Sequence, residues 1–198
     1  MKTKIFLAHS AGLQSAPGEG SFDLAQYLRN VAGANSELIF PVVTDPDNPS
    51  YKNWKTLLDT EIEKLQEPVI LIGHSLGASV LLKYLSEEQP DLQIKGLFLV
   101  AAPQWSSDGW DTKEFALQQN DPAKLIQVDQ LYFYHCIGDP IVPFEHLNYY
   151  RDAFPDAVFR ELKCNDHIFS EGLKELAEDL QLILTDTTYL GLLPSDIF

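Results

Sequence analysis

The chain is predicted to adopt an α/β fold: a mostly parallel sheet of about six strands with helices on both faces, three layers in all. Two observations predict it. Short β-branched and aliphatic runs, at residues 5–8, 38–43, 69–72, 96–101, 131–137 and 157–162, alternate with longer segments of helical period. That alternation is the signature of repeated βα units. The composition is that of an ordinary globular protein, 45% hydrophobic and 22% charged with no low-complexity tract or internal repeat, which excludes disorder. At 198 residues the expectation is one domain, residues 1–198, able to bury its core without disulfides or a structural metal.

The elements follow in order. After the first strand, Ser21 is a suitable N-cap for a helix through Leu24, Tyr27, Leu28 and Val31, whose spacing puts them on one face. A second helix spans residues 51–65, with Trp54, Leu57, Leu58, Ile62 and Leu65 as its buried stripe. The third follows Gly77 and turns Val80, Leu81, Tyr84 and Leu85 to the sheet, and the fourth follows Pro143. The last covers residues 170–184, with Leu173, Leu176, Ala177, Leu180 and Leu184 at helical spacing. Residues 102–130 break the rhythm: they carry Trp105 and Trp110, a capping-box pattern from Asp111 to Glu114, and Asp121-Pro122 as a helix start. This stretch is either a small lid, with Trp105 and Trp110 lining a substrate pocket, or a segment packed onto the body. The tail from Thr185 is apolar enough to dock on the body.

Charge narrows the function. With 29 acidic against 14 basic residues, a formal charge of -15, the chain repels phosphate backbones and anionic headgroups, which disfavours nucleic acid and membrane surfaces as partners. The apolar run after Lys4 stops at His9, too short for a signal peptide, and no stretch reaches membrane-spanning length. With only Cys136 and Cys164, a disulfide framework is not indicated; the expectation is a cytoplasmic protein with two small buried thiols. The two cysteines nevertheless lie each three residues ahead of a candidate site residue, on strands expected to be neighbours beneath the site, and a redox-linked pair is the alternative to two thiols.

The chemistry is carried by three loops. Gly73-His74-Ser75-Leu76-Gly77 matches G-x-S-x-G directly after an apolar run and directly before a helical pattern, the strand, sharp turn and helix that expose a nucleophilic serine. The glycines permit a turn in which neighbouring backbone comes too close for a Cβ. The Leu76 amide, at the positive end of the following helix, is one expected oxyanion donor. A serine hydroxyl needs a base, and the base needs a carboxylate to fix its tautomer. His167 and Asp139 both fall in loops at the carboxyl ends of predicted strands, where functional loops of parallel sheets gather. The order Ser75, Asp139, His167 is the order this strand–turn–helix architecture uses. Asp166, adjacent to His167, is the rival acid, disfavoured because neighbouring side chains rarely point so that one backs the other. His9, His74, His135 and His146 are expected to be structural. Ser10 or Ala11, after the first strand, is expected to give the second oxyanion amide. Neither H-E-x-x-H nor paired C-x-x-C is present, so no metal site is expected.

These segments resemble the small, cap-poor serine hydrolases of the α/β-hydrolase superfamily, in particular the retinoblastoma-binding-protein-like group. The resemblance covers most of the chain. It rests on the elbow at Ser75, on Gly138-Asp139-Pro140 followed by Val142-Pro143, on Asp166-His167-Ile168-Phe169, and on Pro41 through Asp45-Pro46 to Trp54. It implies Ser75 as nucleophile, Asp139 as acid and His167 as base. The chain departs from the pattern at Ser10, where relatives usually have glycine. It also lacks the L-x-C-x-E motif, so retinoblastoma-type binding is not carried over. The expected function is hydrolysis of an ester, thioester or amide of a small-molecule substrate without a cofactor; the alternative is a non-catalytic binding protein that keeps the fold.

Overall fold

The computed structural model describes residues 2–65, 68–105, 112–117 and 122–185. In chain order the elements are β1 (Thr3–Ala8), α1 (Phe22–Ala32), β2 (Ser36–Ile39), α2 (Tyr51–Ile62), β3 (Val69–His74), α3 (Leu76–Glu88) and β4 (Ile94–Val100). A 3₁₀ turn (Lys113–Phe115), α4 (Pro122–Leu125), β5 (Leu131–Cys136), α5 (His146–Ala153), β6 (Val158–Leu162) and α6 (Lys174–Thr185) follow.

All six strands pair in parallel, in the order β2-β1-β3-β4-β5-β6. Successive side chains of a strand point to opposite faces, and the core divides accordingly. Phe6, Leu71, Leu97, Leu99 and Phe133 pack with Trp54 and Leu58 of α2, Val80, Leu81 and Leu85 of α3, and Leu147 and Tyr150 of α5. Ile5, Leu7, Ile70, Ile72, Phe98 and Tyr134 face the other way, onto Leu24 and Leu28 of α1 and Leu176 and Leu180 of α6. Each fully buried Leu, Ile or Phe contributes about 1.5–3 kcal/mol, so the two faces together hold the sheet between its helices. Strand order reverses between β1 and β3, because β1 leads outward to β2 while β3 starts the run to β6. The crevice at such a reversal, beyond the carboxyl ends of the strands, is where open α/β sheets bind ligands.

Several expectations are corrected. The second strand ends at Ile39 rather than residue 43, because Pro41 has no amide to donate and Gln14 takes the neighbouring groups: its Nε2 donates to Pro41 O and its Oε1 accepts from Val43 N. Helix α2 stops at Ile62; Ser50 caps it, accepting from Asn53 N. Helix α6 begins at Lys174 rather than residue 170, since the chain first turns through Gly172 at φ +84°, whose Cβ would strike the Tyr27 ring. Ser21 precedes α1 but does not cap it with its side chain. The Glu114 carboxylate accepts from the Tyr51 amide at 3.0 Å, at the start of α2. Asp111, Asp121 and the tail beyond Thr185 lie outside the described residues. No helix among the described residues is long and apolar enough to cross a membrane.

Candidate active site

Ser75 stands between β3 and α3 with φ 52° and ψ −119°, a conformation that L-residues rarely adopt. Three features hold it there. Its amide donates to Val100 O at 2.8 Å. A Cβ on Gly73 would sit 2.5 Å from Ala78 Cα, and one on Gly77 would sit 2.3 Å from Ala8 O. Only glycine lets β1, the elbow and α3 approach this closely, which is the physical content of the G-x-S-x-G spacing.

The turn brings Ser75 Oγ to 3.0 Å from His167 Nε2, across 92 residues of sequence. On the opposite edge of that ring, His167 Nδ1 lies 2.8 Å from Asp139 Oδ2. A carboxylate only accepts, so the proton of the neutral ring sits on Nδ1 and Nε2 is free to accept from the serine hydroxyl. Asp139 is fixed in turn: its side chain is buried, and Oδ1 accepts from the Ile141 and Val142 amides at 2.8 and 2.9 Å. Burial pushes the Asp139 carboxyl up, but His167 and these amides outweigh it and hold the group below its ordinary value. Asp166 does something else. Its two oxygens accept from Ile168 N and Ser170 N, closing the loop that presents His167.

The oxyanion expectations divide. Leu76 is the first residue of α3, so its amide has no helical acceptor. The Ser10 amide is spent: it donates to Ser21 Oγ at 2.9 Å in a buried contact. Ser10 is therefore corrected as an oxyanion donor, and the next amide of the loop, Ala11 N–H, has no acceptor among the described residues. Trp105 is partly buried, its ring 5.3 Å from that of Phe115, so it packs onto the body; Trp110 lies outside the described residues.

The remaining histidines are structural in geometry. His135 Nε2 pairs with Val142 O at 2.9 Å beneath Asp139, and His146 Nδ1 accepts from Gln104 N at 2.8 Å. His9 and His74 belong to a buried network behind the site. The cysteines are the linked pair rather than the two buried thiols expected first: Cys136 and Cys164 form a disulfide, Cα atoms 5.0 Å apart. The β5–β6 register sets Cys136 against Leu162, which carries Cys164 just past the strand end to meet it. The cytoplasmic expectation rested on reduced thiols, and this bond removes that support.

The serine hydrolase family model matches residues 41–183, a span that contains Ser75, Asp139 and His167. A search of curated proteins finds no significant relative. Among solved structures, the ydeN gene product from B. subtilis superposes with a TM-score of 0.74 at 18% identity, over 93% of this chain and 100% of that one. A YdeN-like hydrolase from Pectobacterium atrosepticum gives 0.60 at 21%, over 92% of each chain. A monoacylglycerol lipase from Paleococcus ferrophilus gives 0.66 at 16%, over 93% of this chain and 96% of that one. At these identities the likeness is one of fold. Family match and fold together make this chain a hydrolase of the α/β type, and it belongs to the serine hydrolase family.

Proposed function

We propose that this protein hydrolyses a carboxylic ester, thioester or amide of a small-molecule substrate through an acyl-enzyme on Ser75. The observation that carries the reading is the pair of hydrogen bonds on one imidazole, His167 Nε2 to Ser75 Oγ at 3.0 Å and Nδ1 to Asp139 Oδ2 at 2.8 Å. Ser75 Oγ attacks the carbonyl carbon while His167 takes its proton, and Asp139 stabilises the imidazolium so formed. The oxyanion forms at the Leu76 and Ala11 amides. His167 then protonates the leaving oxygen, sulfur or nitrogen, and that bond breaks. Water, deprotonated by the same ring, cleaves the acyl-serine ester and restores the free hydroxyl. Every proton passes through His167, so the cycle calls for no cofactor.

Leu13, Val42 and Ile141 are exposed apolar side chains on loops that follow the carboxyl ends of β1, β2 and β5. They are the apolar surface this reading assigns to an acyl group, on loops at the same sheet edge as Ser75, and the charge of -15 favours neutral or cationic substrates over anionic ones.

The test is intact-protein mass after incubation with a fluorophosphonate, alongside hydrolysis of p-nitrophenyl acetate. Wild type should gain one adduct and turn over the ester. Ser75→Ala should gain none and lose roughly 10⁴-fold or more in kcat, because triad members act as a unit. Equal labelling of both proteins, or an unlabelled but folded wild type, would overturn the reading and favour a binding role for the fold.

A further inference from the structure

Behind the reacting groups, Ser21 sits fully buried at the head of α1 with its side chain turned away from the helix it precedes. An N-cap serine ordinarily offers its oxygen to the amides of its own first turn. Here that oxygen accepts from the Ser10 amide at 2.9 Å and pairs with His74 Nδ1 at 2.8 Å. The other edge of the His74 ring, Nε2, lies 2.7 Å from the main-chain oxygen of His167. The Ser21 amide approaches His9 Nδ1 at 3.4 Å, and His9 Nε2 pairs with Gly12 O at 2.8 Å.

The protons of this chain of contacts have one consistent assignment. A carbonyl oxygen only accepts, so His74 Nε2 carries the hydrogen that bonds His167 O. The ring is fully buried, and burial pushes it down to about 3, so it is neutral and Nδ1 is bare. The Ser21 hydroxyl must then donate to Nδ1, which leaves its lone pairs for the Ser10 N–H. By the same logic His9 carries its hydrogen on Nε2 and accepts from Ser21 through Nδ1. One serine thus joins the loop after β1, which presents the Ala11 amide, to the backbone of the residue that presents the His167 ring.

We propose that Ser21 and His74 are positioning residues for acyl transfer: the buried run Ser10 N–H, Ser21, His74, His167 O sets the oxyanion loop and the His167 ring in register with one another. The inference rests on the hydrolytic reading of Ser75. Neither residue touches the reacting atoms. Catalytic geometry is held within about 0.5 Å by such supporting contacts, and loss of one moves both sides of the site at once. The Ser10 amide serves as the anchor of the loop, which leaves its neighbour Ala11 to face the substrate.

The test uses Ser21→Ala, which deletes the hydroxyl without adding volume, and two readouts. With p-nitrophenyl acetate, kcat should fall tenfold or more with KM within about twofold of wild type. By proton NMR, the downfield resonance of the His167 Nδ1–H that bonds Asp139 should shift or broaden, which a merely structural role for Ser21 would not produce. A folded variant with wild-type kcat and an unmoved resonance overturns the proposal. In wild type, nitrogen-resolved NMR should find His74 neutral and protonated on Nε2 throughout pH 5–8. A ring protonated on Nδ1, or titrating in that range, overturns it equally, and needs no variant to fold. If wild type turns over no ester, the hydrolytic reading fails by itself, while the resonance and tautomer still decide the positioning role.

Discussion

Cys136 and Cys164 are joined at the point where the two loops carrying Asp139 and His167 leave the sheet, each cysteine three residues ahead of its site residue. The Gly138 amide donates to Cys164 O at 3.0 Å beside the bond, and the Ile137 amide donates to Leu162 O at 2.8 Å. The covalent link and two main-chain hydrogen bonds thus clamp one loop to the other. Closing a loop across a separation of 28 residues restricts the unfolded chain by about 3.5 kcal/mol in the chain-entropy model. Reduction with a phosphine should therefore lower the urea midpoint, and ester hydrolysis should fall several-fold as the Asp139–His167 pair loosens. Unchanged midpoint and rate after thiol counting shows two free cysteines would refute the clamp.

The division of labour between the two aspartates is testable side by side. Asp139 holds His167 Nδ1, whereas Asp166 holds only loop amides. Asp139→Asn presents an amide where a carboxylate fixed the tautomer, and kcat should drop by roughly 10³–10⁴. Asp166→Asn keeps an acceptor for one of the two loop amides and, being remote from the His167 ring nitrogens, should cost less than tenfold. The pair is measured with one ester at saturating concentration; the reverse ranking would make Asp166 the acid, and equal losses would refute the division of labour.

Much of this site was legible because its residues obey rules that local spacing reveals. Ser75 lies in a motif whose glycines answer to close contacts with Ala8 O and Ala78 Cα, and Asp139 and His167 lie in loops that parallel strands must present at one edge. The approach of the two cysteines was legible from their places on neighbouring strands, but the bond itself was not, since it depends on the β5–β6 register that sets Cys136 against Leu162. Ser21 read as a helix cap, and nothing local tells that its hydroxyl is claimed by His74, 53 residues away. Residues 40–43 read as strand from composition, and lost that role to Pro41 and to the side chain of Gln14.

Acid should destabilise the protein from the histidines first. His9, His74, His135 and His146 are all held below the ordinary value of 6.5, by burial before any other cause. The unfolded chain takes up protons on these rings as pH falls through 6.5 and the folded chain does not, so the stability they carry is full above that pH. It is lost progressively toward the folded values, about 3 for His74. Between pH 6 and 4.5, His74 alone accounts for a loss of about 2 kcal/mol. Asp139 adds its share lower down: its folded value lies below 3.8, so its contribution is present above that pH and lost as pH falls through the folded value. Urea denaturation at intervals from pH 7.5 to 4.5 checks the sign, and stability that is flat or rising toward acid would contradict it.

Gly77 offers the sharpest test of why the elbow needs its spacing. A Cβ there would lie 2.3 Å from Ala8 O and 2.4 Å from His9 O, both backbone atoms of β1 and the loop that follows. Neither can swing aside as a side chain would, so Gly77→Ala must push α3 from β1 or shift the loop that presents Ala11. Overpacking of this kind costs about 1–3 kcal/mol, and here the displacement falls on the oxyanion side of Ser75 rather than on the His167 side. The expected signature is split: kcat falls by tenfold or more, while the His167 Nδ1–H resonance stays where it is in wild type. The Ser21→Ala change should move that resonance, so the two variants separate a loss on one side of the serine from a loss of register between both. If Gly77→Ala keeps both its urea midpoint and its rate, the close approach of β1 to α3 is not what the glycine serves.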